Sequence, residues 1–330
     1  MLRVLTALVT GALVVLLLAA PPASGQDDIT WGVRPADNAL GAGRANFGYT
    51  AVPGAAISDE LLVTNHETRS LTFRVYAADA FTTSSGQLDL LPAGKPSAHV
   101  GTWVRFAAEE VTVPAGQALA VPFTLSVPAG TTPGDHSGGV VTSLAVADNG
   151  VGITVDRRLG ARMHVRVGGD LVPRLEVRDL RVSFDGSANP FARGVAKVSY
   201  TVANVGNTRL TAGQRVRVEG LFGWFGQDAE VAALPELLPG EGATREVSVP
   251  SWPAGRVSAT VEVTGAVPGG AGVDPVADSD WDLAVPWAAV IAALVVLCLA
   301  LALRARTRSR KAAEEERIAA AVAEALKRSE

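Results

Sequence analysis

Residues 118–127 read ALAVPFTLSV, with an apolar side chain at every second position. The apolar positions are Leu119, Val121, Phe123, Leu125 and Val127. Because successive side chains of a β-strand point to opposite faces of its sheet, this stretch predicts a strand with one buried and one solvated face. A fold built from such strands buries its apolar faces against each other.

The period of two recurs on both sides of this stretch. It is found at 71–77 and 162–167, and again at 196–202. Clusters of Pro and Gly separate the alternating segments at the spacing typical of sandwiches. The chain is therefore predicted to be all-β, with an immunoglobulin-like β-sandwich of about eight or nine strands at 26–169 and a second, smaller one of about seven at 170–265.

The two predicted sandwiches share one local pattern. Asn65 ends a predicted strand and precedes a Thr-Arg turn, and Asn204 ends another and precedes a second Thr-Arg turn. Asn is a frequent turn residue because its side chain hydrogen-bonds to nearby backbone. The pattern predicts a similar hairpin in both domains.

The composition of the 330-residue chain excludes several classes of protein. Its mean hydropathy of +0.25 is high for a soluble protein and indicates a lipid-embedded segment. The single cysteine, Cys298, excludes a disulfide framework and cysteine-based metal clusters. A net charge of -4 argues against a nucleic-acid partner, and no cofactor is expected.

The N-terminus has the pattern of a secretory signal peptide. Arg3 precedes an apolar run at 4–20, which is followed by small residues up to Gly25. This order predicts that residues 1–25 are removed from the mature protein. An uncleaved membrane anchor is the alternative.

The C-terminal part of the chain predicts a single membrane span. Residues 285–303 carry no charge and are long enough to cross a bilayer as a helix. The predicted interface anchors on its two sides are Trp281, Trp287, Arg304, Arg306 and Arg308. Since basic residues stay in the cytoplasm, the protein is expected in the cell membrane with its N-terminus outside and its C-terminus inside.

Two further segments flank the predicted span. Residues 266–284 are rich in Gly, Pro and Asp and are predicted to be a flexible linker, with Asp278, Asp280 and Asp282 as solvated charges. The basic tail at 304–330 is predicted to contain a short helix. That helix is either solvated or binds a partner.

The candidate catalytic motif is the GDHSGG sequence at 134–139, which resembles the GDSGG nucleophile loop of chymotrypsin-like proteases. The inserted His136 displaces Ser137 from the position that the protease chemistry needs. The four histidines, His66, His99, His136 and His164, lack the spacing of metal ligands. The sequence therefore predicts neither an enzyme nor a metal site.

The remaining functional candidate is a binding surface on the first sandwich. Aromatic side chains beside short hydrogen-bonding groups are the residue types that recognise sugars and peptides. Buried Trp residues are also common in sandwich cores, so Trp103 and a further candidate, Trp224, have a structural alternative. The candidate binding residues are Tyr76, Asp79, Phe81, Thr82, Thr83, Asp89, Trp103, Asp135 and His136.

Taken in order, several motifs of the first sandwich resemble the peptidoglycan-binding domain of WxL-interacting proteins, in the actinobacterial branch. The motifs lie at 31–37, 44–49, 53–54, 63–65, 76–80, 102–104 and 133–136. The resemblance implies that the first domain binds peptidoglycan. It also implies that the second domain binds a WxL-type or other surface protein.

These observations lead to two functional predictions. The first is a non-catalytic, membrane-anchored cell-envelope protein that binds peptidoglycan and a surface-protein partner, with residues 285–303 in contact with lipid. The alternative is a structural or assembly factor that binds a partner by β-strand addition, without glycan binding.

Overall fold

The computed structural model describes residues 29–147, 154–187, 189, 192–253, 255–270 and 272–327. Within these ranges the chain is mostly β-structure, arranged as two sandwiches in tandem and followed by one long helix. The all-β prediction is confirmed. The predicted signal peptide at 1–25 lies outside the described residues.

Over the residues that the structure describes, the first sandwich has ten strands and one short helix, a slightly larger number of strands than the sequence predicts. Its elements are β1 Trp31–Pro35, β2 Phe47–Ala51, β3 Ala56–Asn65, β4 Leu71–Thr82, β5 Leu88–Leu90, α1 Val100–Trp103, β6 Val104–Phe106, β7 Glu110–Val113, β8 Ala118–Ser126, β9 Gly134–Ala147 and β10 Thr154–Val167. One sheet has the order β1-β3-β8-β6, and the other has the order β2-β10-β9-β4-β5 with β7 also paired to β4.

Most of the alternating residues that predicted the first sandwich form its core, although Leu119 at the start of β8 is exposed. Val121, Phe123 and Leu125 of β8 are buried, as are Met163 and Val165 of β10. Their side chains fill the space between the two sheets. Because every second side chain of a strand points to the same face, the alternation in the sequence predicts which residues form the core.

The second sandwich has eight strands in the described residues. They are β11 Leu175–Asp185, β12 Gly194–Asn204, β13 Leu210–Gly220, β14 Gln227–Glu230, β15 Leu234–Leu237, β16 Gly242–Ser251, β17 Gly255–Ala266 and β18 Gly272–Ala284. The sheets have the orders β11-β12-β16 and β14-β13-β17-β18, and β15 also pairs with β13. Tyr200 and Leu210 are among the fully buried side chains between them.

The segment predicted as a flexible linker, 266–284, is largely a strand. β18 pairs with β17 over nearly its whole length, from Gly255 opposite Ala284 to Ala266 opposite Gly272. Asp280 and Asp282 are not simply solvated, because their carboxylates accept hydrogen bonds from the backbone N–H groups of Val182 (3.0 Å) and Phe184 (2.9 Å) on β11. These side chains satisfy the edge of β11 that faces away from β12, where no described strand pairs with it.

The C-terminal helix is continuous. α2 extends over Trp287–Lys327, 41 residues, rather than forming a membrane span and a separate tail helix. No Gly or Pro interrupts this sequence, so nothing ends the helix after the apolar segment. By length and composition, the part of α2 that begins at Trp287 is apolar enough to cross a membrane.

The repeated Asn pattern marks equivalent turns in the two sandwiches. The Asn65 side chain donates to the backbone oxygens of Arg69 (2.8 Å) and Val113 (3.0 Å). The Asn204 side chain donates to those of Thr208 (2.7 Å) and Leu237 (3.0 Å). In both domains a buried Asn therefore joins the end of one strand to the turn that starts the next.

Candidate functional site

Asp79 lies near the end of β4, where its buried carboxylate organises the segment that leads into α1. It accepts hydrogen bonds from the backbone N–H groups of Ala98 (2.6 Å), His99 (2.8 Å) and Gly101 (2.8 Å). Three donors satisfy most of the acceptor capacity of a carboxylate. Asp79 therefore holds the loop in place and is not available as a ligand-binding group.

Trp103 lies in the core of the first sandwich, only 5% exposed, and not on a binding surface as the sequence suggested. Its ring centroid lies 4.9 Å from that of His136 and 6.3 Å from that of His99. Burial lowers the pKa of His136 below its ordinary value. These three rings pack α1 against β9, so their role in the structure is to join the two elements.

The remaining candidates do not form one face. Tyr76 and Phe81 are five positions apart on β4, so the alternation of side chains directs them to opposite sides of the sheet. Thr82 is buried, Asp89 is exposed on β5, and the Thr83 hydroxyl accepts a hydrogen bond from the backbone N–H of Gln87 (3.0 Å) in a turn. The predicted groove of Tyr76, Asp79 and Phe81 is therefore not assembled.

Asp135 joins the two sandwiches. Its carboxylate accepts two hydrogen bonds from the Arg166 guanidinium, at 2.7 and 2.8 Å, and one from the backbone N–H of Arg209 (2.9 Å) in the second sandwich. Burial opposes its ionisation, but these donors hold the pKa of Asp135 below its ordinary value. A bidentate, buried pair of this kind fixes geometry more than it adds stability.

Asn207, which the sequence did not single out, completes the contact between the domains. Its side chain donates to the backbone oxygens of Pro133 (3.1 Å) and Asp170 (2.8 Å) and accepts from the N–H of Val172 (2.7 Å). Its backbone oxygen accepts from the N–H of Asp135 (2.8 Å). The connection between the sandwiches is therefore fixed by directional hydrogen bonds.

Ser137, His164 and Glu236 meet at the same interface without forming a catalytic relay. The Ser137 hydroxyl lies 3.1 Å from His164 Nδ1, and Glu236 Oε1 lies 3.8 Å from the same nitrogen. A nucleophile and an orienting carboxylate must contact opposite ring nitrogens. Burial, with a contribution from Arg209, lowers the pKa of His164 to about 4, so the imidazole is neutral at pH 7.

Within the described part of the chain, no group of three or more His, Cys, Asp or Glu side chains is arranged to hold a metal ion. The sequence-based expectation of no metal site stays a prediction for the chain as a whole.

The feature of the first sandwich that remains open to a partner is an edge of β10. β9 pairs with β10 over its whole length, but β2 pairs in parallel only with Met163–Val167. In the described residues, no strand pairs with the outer edge of 154–162. Val155 and Leu159 on this segment are 47% and 39% exposed and continue the alternation of the buried Met163.

Comparisons with known proteins identify no family. No family model matches the sequence, and no curated protein does. Among solved structures, a chain of the chaperone–tip adhesion subunit complex of Acinetobacter baumannii Csu pili is 10% identical, with a TM-score of 0.37 over 76% of this chain and 97% of that one.

Two further solved structures match with similarly low sequence identity and TM-score. The class 5 fimbriae chaperone CfaA is 9% identical, with a TM-score of 0.37 over 76% of this chain and 99% of its own. A chain of the Salmonella enterica SafA pilin–SafB chaperone complex is 12% identical, with a TM-score of 0.35 over 76% of this chain and 96% of that one. Identities and TM-scores this low give no functional information.

Proposed function

We propose that the protein is a non-catalytic, membrane-anchored envelope protein that binds a protein partner by strand addition at the edge of β10 that faces away from β9. The observation that carries this proposal is that, among the strands the structure describes, β9 alone pairs with 154–162 of β10. An unpaired strand edge presents a row of N–H and C=O groups that a second extended chain can pair with.

The side chains along this edge favour a partner strand of defined chemistry. Val155 and Leu159 are exposed apolar side chains on the core-facing side of β10, with Arg157 between them. Arg158 and Arg162 lie on the opposite face of β10 and are exposed. An incoming strand with alternating apolar and acidic residues matches both faces, through burial on one side and charge on the other.

The second part of the proposal, membrane anchoring, is supported by α2. Its apolar part is long enough to span a bilayer, and Arg304, Arg306 and Arg308 follow it directly. The excess of basic residues favours a cytoplasmic C-terminus. This orientation leaves both sandwiches outside, where a partner at the envelope has access to β10.

The test places a photo-crosslinking amino acid at positions 155 and 159 of the full chain in its native cells. We expect the partner captured at both positions to bind the purified wild-type chain at least about tenfold more tightly than Val155→Asp/Leu159→Asp. Val52→Asp serves as the matched control, since Val52 is exposed on the same sandwich but follows β2 at the Val167 end of β10, away from 154–162. Hydrogen exchange should slow at 154–162 when the partner is bound.

Two outcomes contradict strand addition. One is equal binding by the double variant and the wild type, and the other is unchanged exchange at 154–162. Peptidoglycan binding, which the family resemblance implies, remains a separate proposal. Sedimentation of the same full chain with insoluble peptidoglycan tests it independently, because loss of glycan binding leaves the protein partner unaffected.

A further inference from the structure

The exposed aromatic side chains of the second sandwich are concentrated between β13 and β14. Residues 221–226 read LFGWFG, and we call them the aromatic loop. Phe222, Trp224 and Phe225 are 80%, 59% and 56% exposed. Large aromatic side chains contribute most when buried, so a contiguous group left in water indicates a surface that meets an apolar partner.

The backbone of the aromatic loop holds these rings outward. Phe222 and Phe225 have φ angles of 62° and 57°, in the left-handed region that bulky residues rarely adopt. The loop is closed by hydrogen bonds from Gly220 N–H to the Trp224 oxygen (2.7 Å) and from Trp224 N–H to the Leu221 oxygen (3.3 Å). Unusual backbone of this kind is typical of functional loops.

Strand pairing places the aromatic loop at the end of the sandwich from which α2 emerges. Gly220, directly before the loop, is opposite Val257 of β17, and Val257 is opposite Asp282 of β18. Two strand spacings separate the base of the loop from the end of β18 by roughly 10 Å. Only two residues, 285 and 286, connect β18 to α2.

Other apolar and aromatic side chains, two of them in contact with arginines, lie at this end of the sandwich. Trp281 and Leu283 of β18 are exposed, and the Arg256 guanidinium carbon lies 4.5 Å from the centre of the Trp281 ring. Arg193 lies over Trp252 at 5.4 Å, and Trp252 is 6.2 Å from Phe225 between ring centres. Aromatic rings beside guanidinium groups match the apolar and phosphate layers of a lipid headgroup region.

We propose that the aromatic loop inserts into the headgroup region of the bilayer that α2 crosses and so seats the second sandwich on the membrane surface. This inference rests on the membrane anchoring proposed above. Lipid is favoured over a protein partner because the short connection to α2 keeps this end of the sandwich within roughly 10 Å of the bilayer. Trp and Phe side chains on such a surface are typical of interfacial insertion.

The test measures the depth of the loop in vesicles of phosphatidylglycerol and phosphatidylcholine. In the full chain with Cys298→Ser, a single Phe222→Cys is labelled with an environment-sensitive fluorophore. Nitroxide-labelled lipids should quench it several-fold more strongly than the same label at Pro268→Cys. Pro268 is exposed in the turn at the other end of β17, roughly 35–40 Å away by strand length.

The outcomes separate this inference from the anchoring on which it rests. A chain that alkaline carbonate washes from the vesicles overturns the anchoring itself. A chain that stays integral but shows equal quenching at 222 and 268 overturns only the insertion of the loop. Phe225→Cys provides a second labelled chain if Phe222→Cys does not fold, and circular dichroism confirms folding of each variant.

Discussion

At the scale of single residues, buried carboxylates hold the loops of the first sandwich in place. Asp79 accepts three backbone N–H groups, and Asp59 accepts hydrogen bonds from Arg44, Tyr49 and Asn38. Although burial opposes ionisation, these donors lower the pKa of Asp59 to about 2. Removing the acceptor leaves several donors unpaired inside the protein, which is costly.

We expect Asp79→Asn to lower the free energy of unfolding by about 2–3 kcal/mol, because an uncharged amide with one oxygen cannot satisfy three N–H donors. Asp89→Asn is the matched control. Asp89 is exposed on the neighbouring β5 and accepts a hydrogen bond from the adjacent Leu90 N–H, so its replacement should change stability by less than about 0.5 kcal/mol. Urea denaturation measures both. Equal stability of the two variants would contradict the structural role of Asp79.

The sequence could not distinguish these carboxylates from ligand-binding ones. Asp79, Trp103 and Asp135 have the residue types of a binding surface, and their partners lie far along the chain. Asp79 contacts residues about twenty positions away, and Asp135 contacts Arg209, 74 positions away. A polar side chain with a distant partner has the same local pattern as one that faces water.

At the scale of elements, side-chain carboxylates of β18 satisfy the edge of β11. We expect Asp280→Ala to speed hydrogen exchange of the Val182 N–H by about tenfold or more, because that N–H then has only water as a partner. In Asp278→Ala the rate should stay unchanged, since the hydrogen bond described for Asp278 comes from the adjacent Ser279 N–H. Similar exchange rates in the two variants would show that the carboxylate does not protect the edge.

Elements were predictable where their burial was periodic. The alternation at 118–127 predicts β8 because one of its faces lies in the core. β18 was missed because its alternating positions carry Asp, which resembles solvated linker sequence, and because its partner β11 is about a hundred positions away. The extent of α2 was missed because a change from apolar to charged composition does not end a helix.

At the scale of the whole molecule, the interface between the sandwiches contains a partly buried neutral histidine. The pKa of His164 is about 4, below the ordinary value of about 6.5. The unfolded chain therefore takes up a proton first as pH falls. The stability contributed by neutral His164 is fully present above about pH 6.5 and is lost between there and about pH 4.

We expect lowering the pH from 7 to 5 to cost about 2 kcal/mol of stability through His164. His164→Gln in the full chain should lower the measured cost by about this amount and leave the contribution of His136, whose pKa burial also lowers, whereas His66→Gln, at an exposed position, should leave the whole dependence intact. Denaturation at both pH values measures the difference. The titration of Asp135 lies below this window, because its pKa is below its ordinary value. An unchanged pH dependence in His164→Gln would contradict the assignment.

Because α2 is uninterrupted, motion of the second sandwich is coupled to the far end of the helix. At 41 residues the helix is roughly 60 Å long, about twice the hydrocarbon thickness of a bilayer. Because only two residues separate it from β18, the start of the helix can move little relative to the second sandwich. A partner that pulls or turns the second sandwich would therefore displace the far end of the helix without any change of fold.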